Sequence, residues 1–216
     1  MKAVSRRGLF ITFEGIDGSG KSTQIELVYK YLTGLGYSAR LLREPGSTAV
    51  SERIREILLD RTIDMADETE LLLYEAARSE ITRKEIAPAI QKGSIVLCDR
   101  FFDSTTAYQG YGRKLDVPMV RRLHRIAAGE FVPDLTFLFD VDLKTAINRR
   151  GQKVDRLESQ SAAFFDRVRR GFLEIARKER KRFRVIDATQ SVDRVFQAVS
   201  KHLTRKLRQY DSTSGV

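Results

Sequence analysis

The sequence predicts an α/β fold in which a five-stranded parallel sheet is flanked by helices. Short apolar segments alternate with longer segments of helical periodicity, and polar side chains directly follow the first three apolar segments. A glycine-rich loop also separates the first apolar segment from the first helix. No linker-like or repeated stretch interrupts this order. We therefore expect one domain over residues 1–210, followed by a disordered tail at 211–216.

The strands are predicted from short runs of apolar, β-branched and aromatic residues. They cover residues 9–13, 38–42, 94–98, 135–140 and 184–186. Helices are predicted at about 22–34, 48–59, 67–91, 117–128, 143–149, 160–181 and 191–208. Strands that are nearly all apolar indicate a sheet covered on both faces, and such sheets bind ligands beyond the carboxyl ends of their strands.

The first loop matches the pattern G-x-x-x-x-G-K-[ST] between a strand and a helix. Such a loop wraps phosphate oxygens with backbone N–H groups, and the helix that follows adds a favourable dipole. The pattern predicts a P-loop NTPase domain whose nucleotide phosphates are bound by Gly15, Ile16, Asp17, Gly18, Ser19, Gly20, Lys21, Ser22 and Thr23. The alternative is a glycine-rich turn that matches the pattern by chance.

Charged residues at two further strand ends indicate a second phosphate opposite this loop. Arg43 and Arg100 follow the second and third strands, and guanidinium groups bind phosphate oxygens through paired hydrogen bonds. Asp99 closes the third strand, where a carboxylate and the Ser22 hydroxyl are expected to hold Mg²⁺. The alternatives are solvated arginines, and an Asp99 that caps a helix or pairs with Arg100.

The net charge of +10 is concentrated in the C-terminal part of the chain. Residues 144–208 hold 19 Lys and Arg against 7 Asp and Glu. Such a segment could bind nucleic acid, but the aromatic side chains in it follow the spacing of a core rather than that of base-stacking platforms. We therefore expect no nucleic-acid partner, and the basic residues are assigned to nucleotide phosphates or to solvent-exposed helix faces.

The sequence has no apolar run long enough to span a bilayer and no signal-peptide pattern at its start, so no membrane association is expected. Its only cysteine, Cys98, lies in an apolar strand. One buried thiol fits a reducing compartment, and a cytoplasmic location is predicted.

Several later segments, in the same order along the chain, resemble the thymidylate kinase family. They are Phe13-Glu14-Gly15-Ile16-Asp17-Gly18, Arg43-Glu44-Pro45-Gly46, Leu71-Leu72-Leu73-Tyr74-Glu75-Ala76-Ala77-Arg78, the segment 99–110 and Asp155-Arg156-Leu157-Glu158. The resemblance extends over roughly residues 9–190. It implies transfer of a phosphoryl group from ATP, with Mg²⁺ as cofactor, to dTMP.

The resemblance also implies how dTMP is bound. Tyr74 would stack on the thymine ring, and Arg78 would donate to its O4 atom. Thr105 and Gln109 would contact the base or a nearby water, and Tyr108 would crowd the 2′ position of the sugar. From periodicity alone, core packing would be the preferred interpretation of both tyrosines.

For the reacting phosphates, the resemblance implies that Arg43 and Arg100 bind the phosphate of dTMP and that Asp17 organises Arg43 and the sugar. Gly18 stands where some family members carry an arginine, so the chain resembles the bacterial type, which takes catalytic arginines from a mobile lid at about 149–158. The residues expected to act in catalysis are Asp17, Lys21, Arg43, Arg100, Arg149, Arg150 and Arg156. The spacing leaves open which lid arginine reaches the transferring phosphate.

Two positions depart from the family pattern. Ser47 replaces a glycine, so its backbone must tolerate whatever angle that glycine adopts, and Tyr74 replaces a phenylalanine. The family also implies a homodimer packed through helices such as 48–59, 67–91 and 117–128.

Three other functions remain open from the sequence alone. They are a kinase for another nucleoside monophosphate, a P-loop ATPase without an acceptor, and a nucleic-acid-binding module. The pattern around the loop and the strand ends favours the thymidylate kinase interpretation over these.

Overall fold

The computed structural model describes residues 7–149, 156–157 and 159–212. Its strands are β1 (Phe10–Glu14), β2 (Ala39–Arg43), β3 (Ile95–Asp99), β4 (Leu135–Asp140) and β5 (Phe183–Asp187). They form one parallel sheet in the order β2-β3-β1-β4-β5. The predicted five-stranded parallel sheet is confirmed, with each strand displaced by no more than one residue from its predicted bounds.

The helices pack on both faces of this sheet. They are α1 (Lys21–Gly34), α2 (Ala49–Leu59), α3 (Asp67–Ile81), α4 (Ala87–Gln91), α5 (Phe102–Thr105), α6 (Val117–Ala128), α7 (Leu143–Arg149), α8 (Ala162–Lys178) and α9 (Val192–Ser212), with π-helical segments at Thr82–Ile86 and Thr106–Gly112. Among the described residues, no helix has both the length and the apolar composition that a membrane crossing requires.

Two differences from the predicted elements matter. Residues 102–112 form α5 and the second π-helical segment, where no helix was expected. Helix α9 continues to Ser212, so Asp211 and Ser212 do not belong to the predicted disordered tail. The rest of that tail, 213–216, lies outside the described residues.

The core lies between the sheet and its covering helices. Strands β1, β3 and β4 are almost entirely buried, and Phe13 packs against both Phe137 and Phe139. Helix starts are fixed locally, as where the Thr48 hydroxyl accepts a hydrogen bond from the Ser51 backbone at 3.1 Å. This rigid sheet holds the loops that follow β1, β2 and β3 at a common edge.

Candidate active site

The phosphate loop follows β1 and is shaped by three glycines. Gly15, Gly18 and Gly20 have φ values of 138°, 83° and 88°, a region that side chains disfavour. The buried Lys21 ammonium donates to the Ile16 carbonyl at 3.1 Å. Burial lowers the pKa of Lys21, and the neighbouring positive charge of Arg100 lowers it further. The loop therefore offers a phosphate its backbone N–H groups and the Lys21 ammonium.

Gly18 packs directly against α7. A Cβ atom at this position would lie 2.1 Å from the backbone oxygen of Ala146. Real Cβ contacts do not reach such a distance, so an arginine side chain has no room in this arrangement of the loop. Positive charge beside the loop must therefore come from other residues.

Arg100 connects the phosphate loop to the segment that follows β3. Its φ of 69° is unusual for a residue with a side chain, and such backbone strain concentrates at functional sites. The turn aims the guanidinium at the loop, where it donates to the Gly15 carbonyl at 2.9 Å and to Asp17 Oδ1 at 2.7 Å. It also donates to Ser104 Oγ at 3.1 Å. The Arg100 side chain therefore contacts both the phosphate loop and the segment that follows β3.

Asp17 is held ionised by its surroundings. Burial opposes its charge, but the positive charges of Arg100 and Lys21 outweigh that effect and lower the pKa of Asp17 to about 2. Asp17 lines both the pocket around the phosphate loop and a neighbouring pocket beyond β2 and β3. It therefore stands at the junction of two binding sites.

The predicted Mg²⁺ ligands lie side by side. Ser22 Oγ donates to Asp99 Oδ2 at 3.2 Å, next to the phosphate loop. Asp99 Oδ1 is buried and has no hydrogen-bond partner among the described residues. Mg²⁺ prefers oxygen ligands and completes its shell with waters and phosphate oxygens, so this pair fits the ion.

The second pocket brings together all of the residues expected to bind dTMP except Arg43. Tyr74, Arg78, Thr105, Tyr108 and Gln109 all line it, together with Asp17 and Arg100. Its remaining lining residues were not predicted as site residues; they are Glu44, Pro45, Arg55, Leu59, Phe101, Ser104 and Leu157.

The arginine of this pocket is deeply buried. Arg78, on α3, has a side chain only 1% exposed and pairs with Glu44 and Glu75. The guanidinium of Arg100 lies over the Tyr108 ring, 5.3 Å from its centroid. The pocket combines aromatic faces with fixed positive charge, an arrangement that suits a base joined to a phosphate.

Some of the pocket residues that were missed carried a signal in the sequence. Glu44 and Ser104 stand inside motifs that pointed to the family, next to residues that were assigned a role. Arg55 had no such signal, because it lies within a helix rather than at a strand end. Its guanidinium donates to the Pro45 carbonyl at 3.0 Å.

Arg43 is not where the resemblance implied. Its guanidinium pairs with the two carboxylate oxygens of Glu52 at 2.9 and 2.8 Å, and it does not line the second pocket. Asp17, expected to organise Arg43, instead pairs with Arg100. The reason is local: Glu52 lies in the first turn of α2, which the turn at Ser47 places beside Arg43. The φ of Ser47 is 67°, so this serine does adopt a glycine-like angle.

Arg149, the last residue of α7, lines the phosphate-loop pocket. It donates to the Ala188 and Thr189 carbonyls at 2.5 and 3.1 Å. Together with Gln190 it lines the pocket that also contains the loop. Arg150, the next predicted lid arginine, lies outside the described residues, as does most of the segment 149–158.

Arg156 is also placed differently from the expectation for a catalytic lid arginine. It is buried, donates to the Leu58 carbonyl at 3.0 Å and pairs with Glu70 at 2.5 Å. Glu70 is completely buried and also binds Arg113 and Gln109, so it needs compensating positive charge. The structure therefore does not bring Arg156 to the phosphate loop.

Comparisons with known proteins agree with this geometry. The family model described as thymidylate kinase matches residues 13–199. A thymidylate kinase of Kosmotoga olearia is 46% identical over 203 residues, covering 93% of this chain and 98% of that protein. One from Caldanaerobacter subterraneus is 43% identical, with coverage of 94% and 98%.

The fold comparison gives the same family. The crystal structure of thymidylate kinase from Ehrlichia chaffeensis superposes with a TM-score of 0.76 at 38% sequence identity. The match covers 91% of this chain and 99% of that one. The family model and these relatives show that the chain belongs to the thymidylate kinase family, and its phosphate loop and second pocket are consistent with that.

Proposed function

We propose that the two pockets that meet at Asp17 bind ATP and dTMP and that the γ-phosphoryl group passes between them, giving ADP and dTDP. The observation that carries the proposal is this shared residue: Asp17 lines both pockets, and its partner Arg100 contacts both the phosphate loop and Ser104. An ATPase without an acceptor would have no use for the second pocket, which is lined by aromatic and charged side chains.

The reaction forms a bond between a dTMP phosphate oxygen and the γ-phosphorus and breaks the bond to the β–γ bridging oxygen. The acceptor oxygen is already ionised near neutral pH, so no strong general base is required. Catalysis then consists of alignment and charge neutralisation. Lys21 and the loop N–H groups face the ATP phosphates, while Arg100 is positioned between the donor and acceptor phosphates.

Mg²⁺ is proposed as the cofactor, held by Ser22 and Asp99 and by ATP itself. When bound, it would neutralise part of the charge on the β- and γ-phosphates. The oxygen-only donor set and the unpartnered Asp99 Oδ1 support this assignment.

The adenine end of ATP is assigned to the region around Arg149. This arginine and Gln190 line the loop pocket, and the Arg149 guanidinium is planar and able to stack on a base. Arg149 thus takes a binding role at the donor nucleotide. For Arg43 and Arg156, a direct role in transfer would require them to leave Glu52 and Glu70, respectively.

We also propose a homodimer formed through α2, α3 and α6. These helices expose large apolar side chains, namely Val50 and Ile57 on α2, Leu72 on α3 and Ile126 on α6. Replacing Leu72 by Glu is expected to shift the protein to the monomer mass in light scattering, whereas Leu35→Glu, on the end of α1, leaves the mass unchanged. A monomeric wild type would contradict the dimer.

The predicted cytoplasmic location is retained as a proposal. The buried free thiol of Cys98 is in keeping with it.

A coupled assay for ADP formation tests the proposed reaction. With ATP and Mg²⁺, the rate is expected to depend on dTMP and to be much lower with the monophosphates of cytidine and guanosine. Chelation of Mg²⁺ is expected to abolish it. ATP hydrolysis at an unchanged rate without any monophosphate would overturn the proposal.

A further inference from the structure

Arg78 is held in place by a set of partners that reaches beyond the dTMP pocket. Its Nε and Nη2 atoms donate to Glu44 Oε2 at 3.1 and 2.9 Å, and Nη2 also donates to Thr105 at 2.7 Å. Its Nη1 atom donates to Glu75 Oε1 at 2.5 Å. These bonds fix the plane of the guanidinium from two sides.

Glu75 is in turn held by a histidine on another helix. Nδ1 of His124, on α6, lies 2.8 Å from the same Glu75 Oε1 that binds Arg78. The other carboxylate oxygen of Glu75 is buried and has no hydrogen-bond partner among the described residues. The orientation of Glu75 therefore depends on His124 as well as on Arg78.

The His124 ring is itself fixed at three points. Its Nε2 atom lies 2.8 Å from Thr106 Oγ1, and its face stacks on Phe102 at 5.3 Å with an angle of 20°. Burial lowers the pKa of His124 despite its contact with Glu75. In the neutral tautomer in which Nδ1–H donates to Glu75, Nε2 is an acceptor for the Thr106 hydroxyl, whose other neighbour is the Phe102 carbonyl at 3.2 Å. Nδ1 also lies 3.4 Å from Nη1 of Arg78.

We propose that His124 is a positioning residue that, through Glu75, holds Arg78 in the orientation that recognises the base of the substrate. The inference rests on the proposed function, in which Arg78 donates to O4 of thymine. A His124 that only joins α3 to α6 would stabilise the fold without affecting which base is bound. The two roles differ in their effect on substrate binding.

Two substitutions at His124 separate these roles. In His124→Asn, the amide nitrogen is attached to Cγ, as Nδ1 is, so the donor to Glu75 is kept and the contact with Thr106 is lost. In His124→Gln, the amide is one bond further out, so it reaches toward Thr106 and the donor to Glu75 is lost. His202→Asn on α9 is the matched control, because this histidine does not line the pocket.

For His124→Gln, we expect KM for dTMP to rise about 10-fold while kcat and KM for ATP stay within about 2-fold, because the base contact is equal in the ground and transition states. The preference for dTMP over dCMP, in kcat/KM, should fall about 10-fold, since Arg78 no longer favours a carbonyl at the 4-position. His124→Asn is expected to stay within about 3-fold of the wild type for both quantities.

A second variant distinguishes the positioning role from a simple loss of folding. Glu75→Gln removes the charge that orients Arg78 while keeping the shape, and it is expected to show the same rise in KM and the same loss of selectivity. Wild-type KM and selectivity in His124→Gln, with only a lowered unfolding temperature, would overturn the positioning role. So would a His124→Asn variant that is as impaired as His124→Gln. A wild type that fails to prefer dTMP over dCMP would instead count against the proposed role of Arg78.

Discussion

Replacing Gly18 by Ala tests how closely the phosphate loop depends on α7. Gly18 has a φ of 83°, and a Cβ there would lie 2.1 Å from the Ala146 backbone oxygen and 2.8 Å from its carbonyl carbon. Ordinary van der Waals contact for a Cβ begins at 3.4 Å. Because the obstructing atoms are backbone rather than the end of a flexible side chain, either the loop or α7 must move by more than about 1 Å.

The size of the effect follows from these distances. A left-handed backbone angle costs a residue with a Cβ roughly 1–2 kcal/mol, and overpacking adds about 1–3 kcal/mol. A displacement of about 1 Å in a reacting group lowers turnover about 100-fold. We therefore expect Gly18→Ala to lower the free energy of unfolding by about 2–5 kcal/mol. We also expect it to lower kcat/KM for ATP about 100-fold.

Gly36 provides the matched control. Its φ of 85° is almost the same, but no heavy atom lies within 4 Å of the Cβ position. In urea unfolding, Gly36→Ala should lose only the stability that the left-handed backbone angle costs a residue with a Cβ. In a coupled assay for ADP, it should have full activity. If Gly18→Ala were no less stable than Gly36→Ala and turned over normally, the close packing of the loop against α7 would be refuted.

Two further predictions concern other strained or buried groups. Ser47→Ala should be less stable than Ser47→Gly by about 1 kcal/mol in urea unfolding. Both variants lose the hydroxyl that accepts a hydrogen bond from the Arg43 N–H, but only glycine relieves the strain of a φ of 67°. Equal stability of the two variants would contradict this strain. Burial and the charge of Asp103 raise the pKa of Glu14 to about 8, so its contribution to stability is present at low pH and is lost as pH rises from about 5 to 8. Glu14→Gln should flatten that part of the stability profile, and an unchanged slope would contradict it.

The sheet and the phosphate loop were predictable because their signals are local. An apolar run of strand length and the glycine pattern depend on neighbouring residues alone, and both were found at their predicted positions. The helical segment 102–112 was not predicted, because most of its residues are polar or glycine and the polar ones are buried by tertiary contacts, as Asp103 is by its ion pair with Arg182. A polar sequence of this kind has no apolar stripe from which a helix could be inferred.

The partners of the arginines were also beyond the sequence. Arg100 could be placed from its position at a strand end, but the pairing of Arg43 with Glu52 depends on the turn at Ser47, and that of Arg156 with Glu70 depends on contacts between distant segments. The same holds for His124, which lies 49 positions from Glu75 in the chain. Fold and reaction class therefore follow from motifs, whereas the assignment of individual charges requires the three-dimensional structure.

Measuring both turnover and dTMP affinity in Lys21→Ala tests whether the loop pocket and the second pocket have separate tasks in one transfer. Lys21 lines the loop pocket and does not line the second pocket. Loss of its charge should lower kcat by at least about 1000-fold while the Kd for dTMP, from calorimetry, stays within about 3-fold. Near-normal turnover in this variant would contradict this division of tasks between the two pockets.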